Sequence, residues 1–172
     1  MSTPLTDGRV TLREWTVDDA AWYAREEQDA EILRFTTASG TLTAADVARA
    51  IEAIDPARLV ALLVTDADTG APLGNLAVEL HDGIGEVSYW VAASARGRGV
   101  ATAAVVLVAD RLFAEGRVHE LRLHAHAANA ASRRTAEKAG FVRDPERDGE
   151  REVKGELWPT VAYRRTSPGG VG

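Results

Sequence analysis

The sequence contains no cysteine. That absence excludes a disulfide framework, thiolate-bound metal clusters and a cysteine nucleophile, and it suits a reducing compartment, so a cytoplasmic location is expected. Lysine is scarce: the 20 basic residues include only Lys138 and Lys154, the rest being arginine. No stretch approaches the roughly 18 consecutive apolar residues of a membrane-spanning helix. Met1-Ser-Thr-Pro-Leu5 lacks the basic then apolar run of a signal peptide, so no membrane partner is expected. Positive charge is in deficit, with 26 acidic side chains and a net charge of -6. General nucleic-acid binding is therefore not expected, because duplex affinity rests on Lys and Arg neutralising phosphates. An acidic surface instead attracts cationic partners.

What remains is ordinary globular material, 45% hydrophobic and 27% charged over 172 residues. This predicts one domain over 1–172, with a core at about 9–165 and a flexible tail at 166–172. Val10 to Arg13 alternates like a short strand, and Asp18 opens a helical stretch continuing toward Ile32 and Leu33. Thr43 and Asp46 form a capping box for a second helix, whose stripe Val47, Ala50, Ile51 and Ile54 stops before Pro56. Residues 59–64, 73–80 and 86–91 read as an antiparallel meander with turns at Asp66–Gly70 and His81–Gly83. Ala101, Val105, Val108 and Leu112 then recur at helical spacing up to Gly116. Leu121 to Ala125 is a strand, Ser132 to Ala139 a short helix, Phe141-Val142 a strand start and Val161 to Tyr163 a last strand. The charge-dense segment from Arg143 to Glu156, with Pro145, Gly149 and Gly155, reads as a solvated loop. This order calls for an α/β (α+β) class with a central mixed sheet flanked by helices.

The segment Trp90-Val-Ala-Ala-Ser-Ala-Arg-Gly-Arg-Gly-Val-Ala-Thr102 lies between a strand and the long helix. Its glycines let the backbone approach a ligand, and the amides from Gly97 to Thr102 face outward at a helix start, where a phosphate or pyrophosphate is favoured. The alternative is an ordinary glycine-containing loop. A P-loop is excluded because no Gly-Lys-Ser/Thr follows, and the dinucleotide fingerprint because a third glycine is missing.

On these residues the chain resembles the GNAT superfamily of acyl-CoA-dependent N-acetyltransferases. Arg96-Gly-Arg-Gly99-Val-Ala101 matches the signature turn, Ser88-Tyr-Trp-Val91 the strand before it, and Asn129-Ala-Ala-Ser132 with Ala136-Glu-Lys-Ala-Gly-Phe141 the downstream block. With Leu12-Arg-Glu-Trp-Thr16, the pattern is closest to the branch of ribosomal-protein N-terminal acetyltransferases. The resemblance implies a single-domain acyl-CoA N-acyltransferase fold and acetyl-CoA as cosubstrate, with no metal. It also implies an amine acceptor, either a small molecule or a protein N-terminus, and a monomer or homodimer. It assigns Val91, Ala92 and Ala93 to the pantetheine arm, and Arg96, Gly97, Arg98, Gly99, Val100, Ala101 and Thr102 to the pyrophosphate. Asn129 would bond that arm or fix the loop, and the thioester would lie where the two central strands splay apart.

Direct attack of a neutral amine on the thioester needs a proton acceptor and protection of the departing thiolate. Glu86 is the first choice as base, sharing a strand face with Ser88 and Trp90, and its alternative is a solvated glutamate. His124 and His126 are further candidates, His126 lying closer to the Asn129 turn. Two histidines without a third ligand make no zinc site. Ser132 would donate to the thiolate or merely cap a helix. Arg133 and Arg134 serve the CoA phosphates or face solvent. For the acceptor, Glu14, Trp15, Trp22, Tyr23, Glu26 and Phe35 combine aromatic surface with carboxylates, against the alternative that the aromatics are core. A non-catalytic acyl-CoA sensor that kept the turn is the competing reading.

Overall fold

Residues 5–169 are described by a computed structural model, in which the alternating and helical periodicities resolve into nine strands and five α-helices. The strands are β1 (Leu5–Thr6), β2 (Val10–Glu14), β3 (Leu59–Asp66), β4 (Pro72–His81), β5 (Ile84–Val91), β6 (Glu120–His126), β7 (Val142–Arg143), β8 (Gly149–Val153) and β9 (Glu156–Thr166). The helices are α1 (Ala20–Glu26), α2 (Ala30–Phe35), α3 (Ala44–Glu52), α4 (Val100–Ala114) and α5 (Ala130–Lys138). One mixed sheet runs β1-β2-β3-β4-β5-β6-β9-β7, with β8 paired to β9. Only β5 and β6 run parallel, because α4 carries the chain back across the sheet between them.

Helix α4 is apolar on nearly every side. It buries Val105, Val108, Ala109 and Leu112 against sheet residues Leu76, Val78, Leu121 and Leu123, all at 2% exposure or less. The opposite sheet face meets the N-terminal helices, where Trp90 of β5 packs on Trp22 and Tyr23 of α1. Among the described residues, no helix is long and apolar enough to cross a membrane.

Three sequence expectations change. The helix expected from Asp18 to Leu33 is broken in two, because the Asp29 carboxylate accepts the amides of Glu31 and Ile32 and starts α2 afresh. The segment from Arg143 to Glu156 is not a loop. It holds a 3-10 turn at Pro145–Arg147 and then β8, closed onto β9 by Lys154 and Gly155, both left-handed (φ 54° and 78°) as a tight hairpin turn requires. Lysine takes the place where Asn is usual, which hides the turn from sequence inspection. Strand β9 is also longer than Val161–Tyr163: Thr166 belongs to it, and the Ser167 amide donates to the His119 carbonyl at 3.0 Å. Residues 170–172 of the expected tail lie outside the described residues. The Thr43–Asp46 capping box forms as expected.

Candidate active site

The turn before α4 owes its shape to two glycines at φ 73° (Gly97) and 74° (Gly99), conformations that cost other residues about 1–2 kcal/mol. A Cβ on Gly97 would meet nothing within 4 Å, so the backbone there faces open space. Gly99 is the N-cap of α4 and accepts the Ala103 amide. The Ala103 amide is the first to enter the helix ladder, so the amides from Gly97 to Thr102 lie ahead of the i→i−4 bonds of α4. Such N–H groups, at the positive end of a 15-residue helix, favour an anion. The two arginines of the turn diverge. Arg96 pairs with Asp29 and Glu31, tying the turn to the start of α2 and holding the Asp29 carboxyl below its usual range. Arg98 stays over half exposed, 3.8 Å from Asp66, in a cavity of about 330 Å³ that Arg9 and Asp68 also line.

The register explains where a thioester would enter. Parallel pairing of β5 with β6 covers Ile84–Val87 against Glu120–Leu123 and then stops, although both strands continue. On the β4 side, Gly74 pairs with Val91 and the Ala92 amide donates to Leu73 at 2.8 Å. Amides alternate along an antiparallel pair, so the Val91 N–H points away from β4 into the gap beside β6. Ala92 therefore offers its amide to β4 and not to the gap, contrary to expectation, while Ala93 begins the 3-10 turn Ala93–Ala95.

Two sets of polar side chains flank this gap. Toward α5, the hydroxyls of Tyr89 and Ser132 lie 2.9 Å apart, and burial raises the Tyr89 phenol above its ordinary value, so it keeps its proton. Ser132 is not the helix cap: the Asn129 side-chain carbonyl accepts the Ser132 amide at 3.0 Å and fills that role. The Ser132 hydroxyl, not needed as a cap, is shared with the Tyr89 hydroxyl, and Asn129 fixes the loop.

Toward the N-terminal helices, Glu86 Oε2 lies 3.3 Å from His124 Nδ1, and Arg151 Nη2 lies 3.0 Å from the same nitrogen. One nitrogen cannot both donate to Glu86 and accept from Arg151. The Glu86 carboxyl is held below its ordinary value chiefly by the His124 hydrogen bond. His126 is differently placed. Its Nδ1 accepts the Ala128 amide, so its other nitrogen carries the proton, and its ring stands between Phe35 (5.5 Å) and Trp158 (5.3 Å). Of the two readings of the N-terminal aromatics, the core one fits most of them: Trp15, only 9% exposed, meets Trp22 and Tyr23, and both of these meet Trp90. Phe35 alone of that set reaches the histidine side of the gap.

Residues 9–142 match the model of the acetyltransferase (GNAT) domain family. The chain belongs to that family. It is 35% identical over 136 residues to mycothiol acetyltransferase of Mycolicibacterium gilvum (strain PYR-GCK), covering 70% of this chain and 44% of the relative. The chain thus spans less than half the length of the curated relative it matches. It superposes on the ribosomal-protein-S5-alanine acetyltransferase of Vibrio fischeri with a TM-score of 0.84, at 14% identity over 98% of each chain. It also superposes on RimJ of Mycobacterium smegmatis in complex with CoA-disulfide, with a TM-score of 0.80 at 22% identity over 96% of this chain and 86% of that one. At such identities the likeness is one of fold. Within this GNAT domain, motif reading overlooks Tyr89, Arg151 and Trp158. Alternation with Val87 and Val91 was a signal for Tyr89. The other two sit in the hairpin arm that charge density disguised as a loop.

Proposed function

We propose that the chain is an N-acetyltransferase that moves the acetyl group of acetyl-CoA directly to a primary amine. The observation carrying this reading is the run of amides ahead of the helix ladder of α4, set at the same end of the sheet as the gap between β5 and β6. Gly97 to Thr102 receive the diphosphate through main-chain N–H groups, helped by Arg98, while Arg96 braces the turn against α2. The edge of β5 at Val91 receives the pantetheine arm in strand fashion. The Val91 amide then faces the carbonyl oxygen where negative charge develops, a contribution of about 3 kcal/mol for such a donor.

Attack forms the N–C bond, and collapse breaks the C–S bond and releases a thiolate. The amine proton passes to the Glu86–His124 pair, directly or through water, with Glu86 ionised and orienting the ring. The thiolate takes a proton from Ser132 as the Tyr89 hydroxyl passes one on to Ser132, and water returns a proton to Tyr89. No covalent enzyme intermediate is needed.

The test is release of free thiol from acetyl-CoA with a panel of primary amines, beside calorimetric titration with CoA. Thiol release that requires an amine supports the reading. CoA binding with no turnover on any amine supports a sensor instead, and absence of CoA binding removes both.

A further inference from the structure

Three cationic side chains of this acidic protein gather on the outer wall of the gap, around the stack Phe35–His126–Trp158. The Arg34 guanidinium lies over the Phe35 ring at 4.7 Å, and Lys154 Nζ is 5.9 Å from the Trp158 ring. Arg151 pairs in register with Trp158 across the hairpin and reaches His124. Among the described residues, none of the three has a carboxylate within ion-pairing distance, whereas most other arginines of the chain do. The nearby carboxylates are engaged or peripheral. Glu86 holds His124, Glu31 holds Arg96, and Glu156 stands at the hairpin tip opposite Val153.

Lys154 is one of only two lysines in the sequence. It adopts φ 54°, where lysine is disfavoured, and from there donates to the Leu33 carbonyl at 2.5 Å, joining the arm to α2 beside Arg34. Three cationic side chains without an ion-pairing carboxylate of their own favour an anionic ligand.

His124, which would take the amine proton, and His126, which anchors the wall, share one face of β6. We infer that the acceptor is an anionic amine: a primary amine whose carboxylate is received by Arg34, Arg151 and Lys154. An acidic residue just after a peptide N-terminus meets this requirement, and so does a long ω-amino carboxylate. The inference rests on the transferase reading given above and narrows its substrate class.

The experiment compares matched acceptors in the thiol-release assay: Ser-Asp-Glu, Ser-Asn-Gln and Ser-Lys-Lys tetrapeptide amides ending in Gly, 6-aminohexanoate against 6-aminohexanamide, and spermidine. The expected order of kcat/KM is acidic above neutral above basic, with an acidic-to-neutral ratio of about tenfold or more at low salt that shrinks near 0.5 M salt. The peptide and aminohexanoate pairs separate the two sources of the carboxylate. In Arg34→Ala and Lys154→Ala the ratio falls toward one, and Lys154→Glu inverts it in favour of Ser-Lys-Lys; CoA affinity reports that each variant is folded. Equal rates for acidic and neutral acceptors, or preference for Ser-Lys-Lys or spermidine, overturn the inference. If no amine releases thiol while CoA binds, the transferase reading fails separately. Binding of the acidic and neutral peptides to the CoA-loaded chain then decides: selective binding of the acidic peptide supports charge reception, and equal binding overturns it.

Discussion

In the proposed mechanism Glu86 acts through His124, a relation that belongs to the residue scale. The carboxyl is held below the usual carboxylate range mainly by its hydrogen bond with His124, so as an anion it orients the ring. In Glu86→Gln the ring loses its anionic partner. The expected outcome is a fall in kcat/KM on the order of 100-fold with CoA affinity retained, measured by steady-state thiol release and calorimetry. An unchanged rate would transfer proton acceptance to water. The histidine pair shows how far sequence reaches at this scale. Two-residue spacing correctly places His124 and His126 on one strand face, but the partners that separate their roles come from elsewhere. Glu86 and Arg151 sit on other strands, and the Ala128 amide that occupies His126 belongs to the following turn.

Asp19 illustrates the element scale, because it joins the start of α1 to β2. Its two oxygens accept from both terminal nitrogens of Arg13 at 2.8 Å, and one also accepts the Thr16 amide. The Arg13 guanidinium is the main reason its pKa falls from 3.8 to about 2. A depressed carboxylate contributes stability that is fully present above the unfolded value and is lost as pH falls through the folded one. Asp19→Asn is therefore expected to destabilise by about 1–2 kcal/mol at neutral pH. In acid-unfolding series followed by circular dichroism, the wild-type advantage should hold above pH 5 and vanish between about pH 4 and pH 2. A difference independent of pH would contradict the assignment.

A second element-level constraint lies at Gly74, where a Cβ would stand 2.5 Å from the Trp90 carbonyl and 3.2 Å from Val91 Cα. Both neighbours are backbone and cannot step aside cheaply. Gly74→Ala is expected to cost about 1–3 kcal/mol in denaturant unfolding. It should also raise the KM for acetyl-CoA, since β5 moves where Val91 faces the gap. Normal stability and KM would show that the strand pair tolerates the shift.

At the scale of the whole molecule, a mixed sheet covered by helices was legible because long periodic segments such as α4 and the β3–β4–β5 meander declare themselves by apolar spacing alone. The turn at Gly97–Gly99 was legible through its glycines. What escaped were features defined by partners distant in sequence. The gap between β5 and β6 was expected through the family resemblance alone, because it is a property of register, with pairing that stops at Val87 and Leu123. The hairpin arm of β8 and β9 escaped because its alternating charges resemble a solvated loop, and its Lys-Gly turn lacks the usual Asn. The N-terminal aromatics were left between two readings because helical spacing does not tell whether a ring faces a ligand or, as Trp22 does, a tryptophan of the sheet.

The whole account depends on main-chain N–H groups before α4 gripping a diphosphate. The most direct measurement is amide NMR of the labelled protein during titration with CoA. The account predicts that the amide protons of Gly97 to Thr102 move downfield together and saturate at one equivalent, with larger shifts than the rest of the chain. Saturable CoA binding that leaves those six resonances in place, or no binding at all, would contradict it.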